Sequence, residues 1–225
     1  MHVRHYLIYT AFNIDLAIKM SLVYPQLVIA TGNIGKLVEF RSMFQTMFDS
    51  ETVELTSLSD LQNIVEVEET GTTFDENARL KVTGYAKQSG LLTLADDSGL
   101  EIKALNGRPG VLSARYGGDI SFGERMELLL DELGKSADCR TARFVCSIAL
   151  ATPDGTVVAQ ESGVCNGKIA FRRKGNNGFG YDPIFIPDGF EMTFGELNDR
   201  IKRSFSHRTT AFRKIMPKIG GFIVH

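Results

Sequence analysis

The chain has 225 residues, 43% of them hydrophobic and 23% charged, with a net charge of -2 and a sequence pI near 6.1. That composition fits a globular protein able to bury a sizeable core, as one domain or as two lobes sharing a core. The charge argues against duplex DNA or RNA as the main partner, so any phosphate site has to come from local clustering of charge. Cys139, Cys146 and Cys165 form no C-x-x-C pair, and read as reduced, mostly buried thiols of a cytoplasmic protein.

Met1–Pro25 mixes apolar residues with Arg4, Asn13, Asp15 and Lys19, too interrupted for a membrane span or a signal-peptide core. Residues 1–25 are expected to form an N-terminal extension, with Met20 an alternative start, and residues 26–221 a single domain. Leu27–Thr31 reads as a buried strand, and Asn33 as the cap of a helix carrying Leu37, Phe40, Phe44, Met47 and Phe48. A second strand is expected over Thr52–Thr56. Thr73 and Glu76 form a capping box for a helix that should stop at Gly90. Leu91–Ala95 is the next strand, expected to end in a turn, Asp96-Asp97-Ser98-Gly99. Ser121 and Glu124 open another helix, closed by Gly134. From Thr141 to Phe171 the pattern is β-rich, with Pro153-Asp154-Gly155 as a hairpin turn. Ser206–Ile219 has helical spacing, and Pro217 is expected to kink or end it. Strand–helix units beside a long hairpin predict an α/β domain with a mixed sheet.

The stretch T-G-N-I-G-K, Thr31–Lys36, lacks Walker A spacing and a serine or threonine after the lysine. It is still a strand, a turn and a helix start, where unsatisfied N–H groups favour anions. Lys36 in the first turn opposes the helix dipole unless an anion compensates it; an exposed lysine on a capped helix is the plainer alternative. Asp96 and Asp97 follow an apolar strand, and strand alternation sends only one into a cleft, to hold Mg²⁺ or orient water. The other could brace the turn. Glu69 offers a further carboxylate, and Lys81 stands where it could reach a phosphate or water. Phe179, among the glycines of Gly175–Pro183, could stack on a base, and Asp182 could accept a hydrogen bond from one. No acidic residue follows Asp199; the basic tail, with Lys202, His207 and Arg208, reads as a solvated face or as a positive wall for a polyphosphate.

T-G-N-I-G-K, E-E-T-G-T-T-F-D-E-N-A-R-L-K, A-D-D-S-G-L, G-R-P-G-V-L-S-A-R-Y, G-F-G-Y-D-P-I-F and S-H-R occur in one order from Leu27 to about Ile219. Together the series resembles the inosine triphosphate pyrophosphatase family, the dITP/XTP pyrophosphatases. The resemblance implies an elongated α/β fold: a mixed β-sheet flanked by helices, in two lobes with a central substrate cleft. It further implies a homodimer and Mg²⁺-dependent hydrolysis of ITP, dITP or XTP to monophosphate and pyrophosphate, with neither nucleic acid polymer nor membrane as partner. By the same resemblance Thr31, Gly32, Asn33, Ile34, Gly35 and Lys36 line the triphosphate site with help from Lys81. Glu69 and Asp97 hold the metal, Asp97 accepts the proton of the attacking water, and Ser98 touches substrate. Phe179, Gly180, Tyr181 and Asp182, with Lys202, His207 and Arg208, hold the nucleoside. A Maf-type pyrimidine pyrophosphatase is disfavoured by the S-H-R and F-G-Y-D elements. A binding protein without turnover is disfavoured by carboxylates beside a phosphate-site lysine.

Overall fold

The computed structural model describes residues 25–48, 53–136 and 138–223; the extension expected over residues 1–25 lies outside them apart from Pro25. Strand β1 (Gln26–Ala30) is buried along Leu27–Ala30 because it has a neighbour on each side. It pairs in parallel with β2 (Glu54–Ser57) and with β3 (Leu92–Ile102). Three caps expected from the sequence are in place. The Asn33 side chain accepts from Lys36 N at the start of α1 (Ile34–Met47). Reciprocal boxes at Thr73/Glu76 and Ser121/Glu124 open α2 (Phe74–Ser89) and α3 (Phe122–Leu133). Each satisfies helix-end N–H groups that have no acceptor within the helix. Gly90 takes the left-handed conformation (φ 66°) that ends α2.

The long hairpin joins β4 (Thr141–Ala151) to β5 (Val157–Ile169), its turn tied by the Asp154 carboxylate to Thr152 and Thr156. A short edge strand, β6 (Phe185–Pro187), completes a six-stranded sheet of order β2-β1-β3-β4-β5-β6. The β3–β4, β4–β5 and β5–β6 pairs are antiparallel. Helix α2 covers one face of the parallel end, packing Ala78, Val82 and Ala86 with Val28, Ala30 and Ala95. Helix α1 covers the other with the last helix, joining Phe40 and Phe44 to Leu94, Ile148 and Phe212. Farther along β3–β5, Leu100, Ile102, Phe144 and Ile169 meet α3, Phe185 and Phe194 in a separate core. One mixed sheet therefore carries two lobes.

Two expectations need correction. The D-D-S-G stretch is not a turn: β3 continues through it to Ile102, paired with β4. What ends there is the pairing with β1, whose last partners are Ala30 and Ala95. Ladder bonds to β4 override the turn preference of these residues, and Gly99 fits because a Cβ would come 2.6 Å from the Gly110 carbonyl. The C-terminal helix, in turn, does not end at Pro217. A short α4 (Asp199–Phe205) precedes α5 (His207–Ile223), which runs through Pro217. The lost hydrogen bond and ring clash cost roughly 3 kcal/mol, while burying an isoleucine gains about 1.5–3 kcal/mol. Ile219 and Ile223 are both buried beyond an exposed Pro217, so packing keeps the helix going. Among the described residues no helix is long and apolar enough to cross a membrane, and the three cysteines are unpaired, with Cys146 and Cys165 buried.

Candidate active site

Where β1 stops and β3 continues, the alternation of β3 deals its side chains to two faces. Leu94 belongs to the core under α1 and α5, and Ala95 to the core under α2. Asp96 therefore points with Leu94, and Lys36 Nζ from α1 lies 3.0 Å from its Oδ2. Arg208 from α5 approaches the same oxygen at 3.3 Å. Asp97 points with Ala95 toward α2, where its Oδ2 accepts from Asn77 Nδ2 at 3.0 Å. Lys81, one helical turn beyond Asn77, lies 3.6 Å from Asp97 Oδ1 and 2.7 Å from Glu69 Oε1. One ammonium thus holds the two carboxylates together.

The strand end, α1 start, α2 and the Gly175–Pro183 loop enclose a cleft of about 470 Å³. Thr31, Gly32, Asn33, Lys36, Glu69, Lys81, Asp97 and Ser98 line it toward α1 and α2. Phe179, Gly180, Tyr181, Asp182, Lys202, His207 and Arg208 line the remainder. Ile34 and Gly35 are the two residues of the expected set that do not. Ile34 is 78% exposed, and Gly35 lies under the Phe179 ring, where a Cβ would come 2.5 Å from Cδ1.

The tail is a positive wall only in part. Arg200, Arg213, Lys214 and Lys218 are exposed, while Lys202, His207 and Arg208 are buried and face the cleft. Lys202 Nζ is 2.6 Å from Asp182 and 2.8 Å from Glu39, and stands 4.9 Å from the Phe179 ring centroid. Asp182 also accepts from Phe179 N at 2.8 Å, which fixes the loop that carries the ring. Arg208 gives N–H groups to Glu39, Asp96 and Ser98, leaving one of its five uncommitted on Nη1. Glu39 joins Lys202 to Arg208, and sequence reasoning missed it. Its signal was position: three residues after Lys36 on one helix face.

The environment sets the charges. Burial pushes the Glu39 carboxyl up, but Arg208 and Lys202 outweigh it and hold the group at about 2. For Asp96 burial is likewise outweighed by Lys36 and Arg208, and the group stays ionised. For Asp97 burial prevails over Lys81 and Lys36, with Glu69 adding to the rise. Burial, reinforced by the Arg208 charge, keeps His207 neutral; its ring stacks on Phe144 at 4.8 Å. Four cations, Lys36, Lys81, Lys202 and Arg208, are interlaced with five carboxylates, Glu39, Glu69, Asp96, Asp97 and Asp182.

A family model for the Ham1 family matches residues 27–218. The chain belongs to the Ham1 family. A dITP/XTP pyrophosphatase of Rhodopirellula baltica is 47% identical over 195 residues, covering 86% of this chain and 92% of the relative. One from Nostoc sp. is 45% identical, covering 88% of this chain and 95% of the relative. Among solved structures, the Staphylococcus aureus Ham1 protein superposes with a TM-score of 0.75 at 39% identity, covering 88% of this chain and 99% of that one. A Coxiella burnetii HAM1 protein gives 0.77 at 37%, with the same coverage. These relatives agree with the resemblance read from the motifs, and the Ham1 match begins at the first residue of the strand predicted before T-G-N-I-G-K.

Proposed function

We propose that this Ham1 chain hydrolyses non-standard purine nucleoside triphosphates, ITP, dITP and XTP, to the monophosphate and pyrophosphate. The observation that carries this reading is the convergence, in one cleft, of a phosphate end and a base end. The phosphate end has Lys36 and Lys81 beside Glu69 and Asp97; the base end has Phe179 beside Lys202, His207 and Arg208. The relatives are named dITP/XTP pyrophosphatases, which supports the dITP and XTP part of this reading.

The residues present fit Mg²⁺. Glu69 and Asp97 are already drawn together around one cation, the Lys81 ammonium, and Mg²⁺ commonly takes one or two carboxylates with substrate phosphates and water. The five carboxylates exceed the four cations, so a highly anionic substrate needs further positive charge. When bound, the metal would supply that charge at the phosphoryl oxygens. Lys36 and Lys81 bind and orient the phosphate chain. Asp97, braced by Asn77 Nδ2 and Ser98 N at 3.0 Å each, accepts the proton of the attacking water at its carboxylate. At the base end, the uncommitted Arg208 N–H suits a 6-oxo acceptor, which adenine lacks; such a mismatch can cost a factor of ~10⁴. The proposal includes a homodimer, as the resemblance implies, and a cytoplasmic location, which unpaired cysteines suit.

A substrate panel of ITP, dITP, XTP, GTP, ATP and dUTP with Mg²⁺ tests it. Pyrophosphate release is expected from ITP, dITP and XTP and is abolished by EDTA. Preference for ATP, or orthophosphate with a diphosphate product, would sink the reading.

A further inference from the structure

Asp96 does not line the cleft, yet it touches both of its ends. It is 1% exposed, and its Oδ2 is shared by Lys36 Nζ at 3.0 Å, Ser98 Oγ at 3.1 Å, and Arg208 Nη2 and Nε at 3.3 and 3.4 Å. Its Oδ1 is buried and has no partner among the described residues. Lys36 and Arg208 come from different helices, at opposite ends of the chain, and this carboxylate is what they have in common.

We propose that Asp96 is a positioning residue that couples the phosphate end of the cleft to its base end. The ends take their names from the triphosphate reading above, on which this inference rests. In the free protein Lys36 and Arg208 divide one oxygen. A polyphosphate that draws Lys36 outward leaves Asp96 to Arg208 and Ser98, so the guanidinium is held more firmly where a base would meet it. Occupation of the base end orders Arg208 and frees Lys36 in the same way. Linkage then requires each ligand to strengthen the other.

Titrations with two half-substrates, inorganic tripolyphosphate and inosine, with Ca²⁺ in place of Mg²⁺, read the coupling without turnover. In the wild type, saturating inosine is expected to tighten tripolyphosphate binding about threefold or more; in D96N, which keeps shape and removes charge, inosine leaves it unchanged. Unchanged or weakened binding in the wild type overturns the proposal, as does coupling retained in D96N. A purely structural Asp96 would lower the folded fraction of D96N without altering that ratio. Should D96N fail to fold, K36M and R208K, made singly and together, decide from the affinity for ITP. Their effects are expected to depart from simple multiplication by about fivefold or more, whereas multiplication within about twofold overturns the link. A wild type that couples the two probes but hydrolyses no purine triphosphate would remove the pyrophosphatase reading alone. An active wild type without coupling would remove only this one.

Discussion

Asp97 has an acceptor bond on each oxygen, from Asn77 and from the Ser98 N–H, and Lys81 3.6 Å away. Asp97→Asn keeps the shape and removes the charge that accepts a proton. It is expected to lower kcat by about 10²–10⁴ with the fold intact by circular dichroism; near-normal turnover would show that another carboxylate is the base. From the sequence, Lys36 faces either a bound anion or solvent, so its loss should weaken substrate binding with little loss of stability. The structure changes that expectation, because its partner Asp96 is buried and ionised. Lys36→Met is therefore expected to raise KM and also to cost roughly 1–3 kcal/mol in urea unfolding. An unchanged unfolding midpoint would place the Lys36–Asp96 pair outside the stability of the fold. At this scale the sequence named the residues but not their partners. Glu39 escaped notice because one glutamate on an amphipathic helix carries no motif, and only the burial of Lys202 and Arg208 around it shows what it does.

Among the elements, the caps were legible because their chemistry is local: a side-chain oxygen and an N–H group three residues apart. The ends of β3 and α5 were not, because packing with distant segments decides them. Gly163 shows the same dependence. In the sequence it is one glycine within a β-rich run, but a Cβ there would collide with the His207 carbonyl and the Ala211 N–H of α5. Backbone atoms cannot move aside as a flexible side chain can, so Gly163→Ala is expected to destabilise by about 3 kcal/mol or more, measured by thermal unfolding. It should also disturb the base end, since the same turn of α5 carries His207 and Arg208. A loss below about 0.5 kcal/mol would show that α5 can retreat from β5 at no cost. Gly32 is the natural contrast: a Cβ there meets nothing within 4 Å, and Gly32→Ala tests the phosphate end without that penalty.

Across the whole molecule, acid should act through His207, which is 4% exposed and the one histidine among the described residues. Its folded pKa lies well below the ordinary 6.5 because of burial and the adjacent Arg208 charge. A depressed pKa contributes stability that is complete above about pH 6.5 and is lost as pH falls below it. Glu39, held at about 2 against an ordinary 4.5, loses its contribution only below about pH 4.5. Between about pH 7 and about pH 5 the urea midpoint of His207→Asn is thus expected to fall less than that of the wild type, the raised Asp97 and Asp182 carboxyls acting in the opposite direction in both proteins. Parallel slopes for the two proteins would dismiss His207 as the cause. By itself the sequence determined three capped helix starts, the hairpin, the α/β class and the set of chemically capable side chains, because periodicity, caps and turn chemistry act over a few residues. Only the tertiary structure decided that β3 runs on past Asp97, that Pro217 sits inside a helix, and that Lys202 and Arg208 of the basic tail are paired with Glu39, Asp96 and Asp182. Those outcomes depend on pairing, burial and charge between segments as far apart as Lys36 and Arg208.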